Sequence, residues 1–126
     1  MKPEIERLLR KADDCMESAE YNFREGFHDA AVNRSYYAAF DALTALLLFQ
    51  DVQVKSHSGA IQQFAFHFIK PEIFPIEMQE FLFYCFSKRQ KGDYDLYSDI
   101  TEEEANLSLS KARNFVNRSK DCLKLE

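Results

Sequence analysis

Between about Glu4 and Arg24, apolar residues fall at Ile5, Leu8, Leu9, Ala12, Met16, Ala19 and Phe23. Helical spacing gathers them on one face, so the segment is predicted to be an amphipathic helix. Gly26 supplies its stop, because glycine enters the left-handed conformation that ends helices at little cost. So short a link folds the next helix back beside the first. That second helix, from about Asp29 to Phe49, is apolar almost all round, with Ala30, Ala31, Val32, Tyr36, Tyr37, Ala38, Ala39, Phe40, Ala42, Leu43, Ala45, Leu46 and Leu47. A helix of that kind belongs at the centre of a bundle. Its polar exceptions are Asn33, Arg34, Asp41 and Thr44. Arg34 and Asp41, seven apart, share nearly one face, and Asn33, Tyr37, Asp41 and Thr44 form a neighbouring stripe. Polar side chains on a central helix need partners from another helix, another subunit or a ligand.

The loop from Asp51 to His57 leads to Ser56 and Ser58, either of which can cap a third helix from Ala60 to Ile69. Pro71 closes that helix, and Pro75 stands where a fourth begins. On the fourth, Ile76, Met78, Phe81, Leu82, Cys85 and Phe86 are expected on the buried side, with an end near Lys88 and Arg89 and Gly92 as terminator. Thr101 opens a fifth helix with the capping-box pattern Thr101-Glu102-Glu103-Glu104. Ala105, Leu109, Ala112, Val116 and Leu123 line its apolar face. Neither repeat nor linker interrupts the pattern. The expected fold is all-α, an up-down bundle of four or five helices forming one domain over residues 1–126.

Composition narrows the class. Hydrophobic residues at 46% rule out a disordered chain, and 126 residues suffice for one core. The 12 Phe and 6 Tyr offer aromatic surface enough for a core and a subunit interface, so a homodimer is expected. A net charge of -5 argues against a general nucleic-acid binder, while a local basic patch can still hold a phosphate. Cys15, Cys85 and Cys122 are odd in number and lack metal-ligand spacing, which fits reduced thiols in a cytosolic protein. The polar start Met-Lys-Pro-Glu-Ile-Glu is unlike a signal peptide, and the longest apolar stretch, Ala45 to Phe49, is too short for a bilayer. A cytoplasmic location without membrane attachment is expected.

Two constellations carry candidate chemistry. In Asn33-Arg34-Ser35-Tyr36-Tyr37-Ala38-Ala39-Phe40, Arg34 is either a structural ion-pair partner or an anion-holding guanidinium facing a cleft. In Lys88-Arg89-Gln90-Lys91-Gly92-Asp93-Tyr94, three cations either complement a helix C-terminus or form a phosphate site followed by a carboxylate and a phenol. His28, His57 and His67 are not spaced as metal ligands and read as structural or surface residues. Neither a glycine-rich phosphate loop nor a nucleophile elbow is present. No metal and no cofactor is expected.

The run at 33–40 resembles the second-helix motif of HEPN domains. Ser56-His57-Ser58-Gly59-Ala60-Ile61, with Phe64 and Phe66-His67-Phe68, resembles the third-helix region of one HEPN branch. Arg89-Gln90-Lys91-Gly92-Asp93-Tyr94-Asp95 resembles that branch's signature after the fourth helix, and Thr-Glu-Glu-Glu-Ala at 101–105 fits the last. The resemblance covers nearly the whole chain. It implies an up-down helical bundle that commonly dimerises. Many members pair with a small nucleotidyltransferase in toxin–antitoxin systems, and active members are metal-independent ribonucleases. Their signature is an Arg followed after four to six residues by a His, helped by a polar residue of the second helix. In some pairs the partner adds AMP to a Tyr just after that His. Arg89 matches the signature Arg, but the positions open to the His hold Tyr94, Asp95 and Leu96. Tyr94 and Tyr97 stand where an AMP acceptor would be.

The resemblance therefore implies a HEPN subunit that serves a minimal nucleotidyltransferase as a protein- or nucleotide-binding partner, without catalysis of its own. Arg34, Lys88, Arg89 and Lys91 would hold nucleotide phosphate. The alternative is a metal-independent ribonuclease acting on RNA through a degenerate site of Arg34, Arg89 and Asp93. There Arg89 would stabilise the phosphorane, and Asp93 or Asp95 would serve as base.

Overall fold

The computed structural model describes residues 2–53, 55–94 and 99–124, with side chains described for 2–53, 55–87 and 99–124. Over these residues the chain is an all-α up-down bundle. Its helices are α1 (Pro3–Arg24), α2 (His28–Phe49), α3 (His57–Phe64), α4 (Ile76–Tyr94) and α5 (Glu102–Lys124). Between α3 and α4 the chain continues into a π-helical turn, Ala65–Ile69. None of these helices is long and apolar enough to cross a membrane.

The central helix is the one the apolar pattern singles out. No residue of α2 from Ala30 to Phe49 is fully exposed. Ala38, Ala39, Ala42 and Ala45 are wholly buried, as are Ala12 and Ala19 of α1 and Ala105 and Ala112 of α5. Small side chains let helix axes approach closely, which explains why α2 packs most extensively on α1 and then on α5. Gly26, at φ +85°, turns the chain between α1 and α2. Lys120 pairs with Asp13 at 3.0 Å, and Arg113 pairs with Glu20, so α5 runs antiparallel to α1. Exposed pairs of this kind set register more than they stabilise.

A second layer, made by α3, the π turn and α4, covers another side of α2. Aromatic rings tie this layer to α5: Phe64 lies 5.2 Å from Phe74 and 5.6 Å from both Phe68 and Phe115. Phe115 is fully buried, although it falls outside the apolar face expected for the fifth helix.

Three local expectations change. The third helix begins at His57 rather than Ala60, because Ser56 is the cap: its Oγ accepts the Gly59 N–H at 3.0 Å. The fourth runs past Lys88, Arg89 and Gly92 to Tyr94. Glycine costs a helix interior about 1 kcal/mol but does not break it as proline does. On α4, Phe81, Leu82 and Cys85 are buried, Met78 and Phe86 half-buried, and Ile76 is exposed. At α5, Thr101 acts as cap, its Oγ1 accepting the Glu104 N–H at 3.1 Å.

Candidate functional site: a polar strip on the central helix

From Asn33 to Leu48, the half-buried positions of α2 are Asn33, Arg34, Tyr37, Phe40, Asp41, Thr44 and Leu48, and every position between them is buried. Their helical spacing makes one continuous strip that the rest of the bundle leaves partly open. At its C-terminal end, Thr44 and Leu48 join Asp51, Val52, Gln53 and Lys55 around a depression of about 550 Å³.

Arg34 sits near the start of the strip. Its Nη2 donates to Asn33 Oδ1 at 2.9 Å, and its Cζ lies 5.0 Å from the centre of the Tyr37 ring. Among the described residues it joins no ion pair, while its charge acts on the Asp41 carboxyl farther along the strip. Among the described residues its guanidinium is contacted by neutral groups, Asn33 and Tyr37.

On the α1 side, the Cys15 thiol approaches Asp41 Oδ2 at 3.9 Å. Burial lifts the Asp41 carboxyl above its ordinary range, against the opposing pull of Lys11, the Cys15 contact and Arg34. Burial, aided by the Asp41 charge, also raises the Cys15 thiol, so this cysteine is a poor nucleophile. Cys85 is raised by burial as well. Thr44 satisfies itself by donating to the Phe40 carbonyl at 2.9 Å.

The opposite wall comes from α3 and α4. The Tyr36 hydroxyl is hydrogen-bonded to His57 Nδ1. The His57 ring stacks on Phe40 at 4.1 Å and 20°, with Tyr36 at 5.7 Å and Phe86 at 5.6 Å. Tyr36 is buried and His57 half-buried. Nothing in the linear spacing announces this pairing, since 21 residues separate the two. The Ser56 cap, which starts α3 at His57, is the local feature that sets it against α2. His28 and His67 lie elsewhere, beside Phe23 and Phe66 respectively.

Arg34 is thus the one predicted site residue whose side chain is described. The side chains of Lys88, Arg89, Lys91, Asp93 and Tyr94, and the whole of Asp95 and Tyr97, lie outside the described residues. The α4 backbone puts position 89 one turn beyond Phe86, the residue that touches His57. Among the described residues no three His, Cys, Asp or Glu side chains cluster as metal ligands do.

Comparison with known proteins bears on this arrangement. The sequence pattern that defines the HEPN domain matches residues 5–122. Two proteins of Methanocaldococcus jannaschii are similar. "Putative toxin MJ0142" is 38% identical over 97% of this chain and 83% of its own length. "Putative toxin MJ0605" is 32% identical over 98% of this chain and 92% of its own. The crystal structure of ST0689, an archaeal HEPN homologue, superposes with a TM-score of 0.73 at 21% identity, covering 96% of this chain and 98% of that one.

Proposed function

The chain belongs to the HEPN domain family, and on that premise we propose that it is the toxin-type subunit of a toxin–antitoxin pair whose second member is a small nucleotidyltransferase. The observation that carries this reading is the α2 strip. A half-buried polar line on the most central helix, holding an arginine without an ion pair among the described residues, calls for a partner or a nucleotide to cover it. The names of the M. jannaschii relatives support the toxin-type role. In this reading Arg34, Lys88, Arg89 and Lys91 hold nucleotide phosphate, and Tyr94 or Tyr97 accepts AMP from the partner. Two copies meet so that Arg34 and Arg89 of both line one groove.

Purification from the native host tests it. The chain should bring down the product of a neighbouring gene, and Arg34→Ala should weaken that association without lowering the melting temperature. Recovery of the lone chain would count against the pair, and a monomer mass by light scattering at micromolar concentration would remove the dimer.

One observation favours a second reading, in which the subunit itself cleaves RNA without metal. Arg34 lies over Tyr37 within the strip and the His57 ring stacks on Phe40, so the strip carries a fixed cation and, about two turns on, an imidazole. Such a pair meets the need for charge stabilisation and proton transfer in phosphodiester cleavage. The purified protein should then cleave RNA in EDTA, and Arg34→Ala, His57→Gln or Arg89→Ala should abolish the activity. Failure to cleave varied RNAs would sink this reading.

A further inference from the structure

Imidazole is the side chain that ordinarily changes charge between about pH 5 and 8. His57 places one beside a strip whose fixed cation, Arg34, is held by neutral neighbours. Its ring lies flat on Phe40, a member of the strip, and its Nδ1 is engaged by the buried hydroxyl of Tyr36. A partner on one ring nitrogen fixes the orientation of an imidazole. His57 as a residue is half-buried rather than sealed in the core. Arg34 lies by Tyr37, and His57 lies by Phe40. Those two aromatic residues are three positions apart, about 4.5 Å of helix rise.

We propose that protonated His57 is a second, pH-dependent cationic contact for the phosphate of a ribonucleotide bound along the α2 strip, with Tyr36 as its positioning residue. This rests on the reading that the strip binds a nucleotide. Arg34, over the half-buried Tyr37 ring, offers a permanent charge. His57 then adds a charge that comes and goes with pH, acting across the strip whichever ring nitrogen takes the proton.

The groups around His57 are of mixed sign. From α2, Tyr36 touches it, and Arg34 and Asp41 lie along the strip to either side. From α1, Lys11 and Cys15 act on Asp41. From α4, the apolar Phe86 touches it. On its own element, Lys55 precedes the Ser56 cap. A bound phosphate brings negative charge into this set and so favours the imidazolium.

Carbon-detected titration of the histidine rings of the full chain tests this, because His28 and His67 serve as internal controls. Ring signals are followed from about pH 5 to 8 without ligand, with 5′-AMP, and with hexauridylate. The expected result is a His57 midpoint moved to higher pH by about half to one unit, with His28 and His67 unmoved. Hexauridylate binding should accordingly be about three- to tenfold tighter at low pH than at high pH. Movement with both ligands identifies any ribonucleotide phosphate, and movement with hexauridylate alone identifies the strand. For hexauridylate, whose phosphodiesters keep their charge over this range, His57→Gln should remove most of the pH dependence of binding, and Tyr36→Phe, which keeps both rings, should shrink the ligand-induced shift. If His57→Gln does not fold, the wild-type titration and Tyr36→Phe decide. A ligand that perturbs Asn33 and Tyr37 but leaves the His57 midpoint unmoved overturns the inference and leaves strip binding standing. Equal movement of all three histidines also overturns it. Strip signals untouched by either ligand remove the nucleotide-binding reading and this inference with it.

Discussion

Removing the His57 ring should loosen the joint between α2 and the α3–α4 layer. His57→Ala deletes ring contacts with Phe40 at 4.1 Å, Phe86 at 5.6 Å and Tyr36 at 5.7 Å. Aromatic pairs contribute about 0.5–1.5 kcal/mol each, and for a half-exposed ring the lower end applies, or about 1.5 kcal/mol for the three. The hydrogen bond with Tyr36 contributes about 1 kcal/mol more. The substitution should therefore cost about 2.5 kcal/mol. Unfolding entropy scales with length, so for 126 residues each kcal/mol lowers the melting temperature by about 4 °C, or about 10 °C in all. Tyr36→Phe keeps the rings and removes only the hydroxyl, for about 1 kcal/mol. Because hydroxyl and imidazole are partners, the double variant should cost about 1 kcal/mol less than the sum of the two. Urea unfolding followed by far-UV circular dichroism measures all three. A coupling below about 0.3 kcal/mol would show that the hydrogen bond stabilises nothing. A His57→Ala cost under about 0.5 kcal/mol would refute the clamp itself.

Asp41→Asn should stabilise the protein at neutral pH but not in acid. Burial raises the folded-state carboxyl above its unfolded value, so the native state binds the proton more tightly and wild-type stability falls as pH rises through that window. Thermal melts from acid to neutral pH should show the variant's gain growing with pH, and a gain independent of pH would contradict this cause. Phe115→Ala removes a fully buried ring that meets Phe64 at 5.6 Å and Phe74 at 5.9 Å. It should cost about 3–5 kcal/mol, read as a large drop in urea midpoint, and a change under about 1 kcal/mol would mean the aromatic cluster is not packed as described. Ser56→Ala removes the cap that accepts the Gly59 N–H and should cost about 1 kcal/mol. It should also broaden the His57 ring signals, and sharp, unshifted signals would argue against the cap as the element that positions His57.

The helices and their order were legible because amphipathic periodicity and capping are local properties. The seven apolar positions of the first helix and the Thr101 cap of the fifth follow from spacing alone. The nearly all-apolar second helix likewise declared its central place, since only burial on most sides reconciles such a surface with water. Arg34 and its polar neighbours were visible for the same reason, as exceptions on that surface. The ends were less legible. The third helix starts at His57 because Ser56, rather than Ser58, has the extended backbone a cap requires. The fourth passes through Gly92 because a modest propensity cost yields to continued helix pairing.

By itself, then, the sequence determined the all-α class, the family and the strip's polar members, all of which depend on residues near one another in the chain. Tertiary structure alone decided what stands across from the strip. Cys15 reaches Asp41 from 26 residues away, and His57 reaches Tyr36 from 21. Those pairings depend on how helices pack, and packing is set by the shapes of whole faces rather than by any short motif. The histidine that spacing reads as a structural or surface residue packs beside the strip, held there by a buried tyrosine.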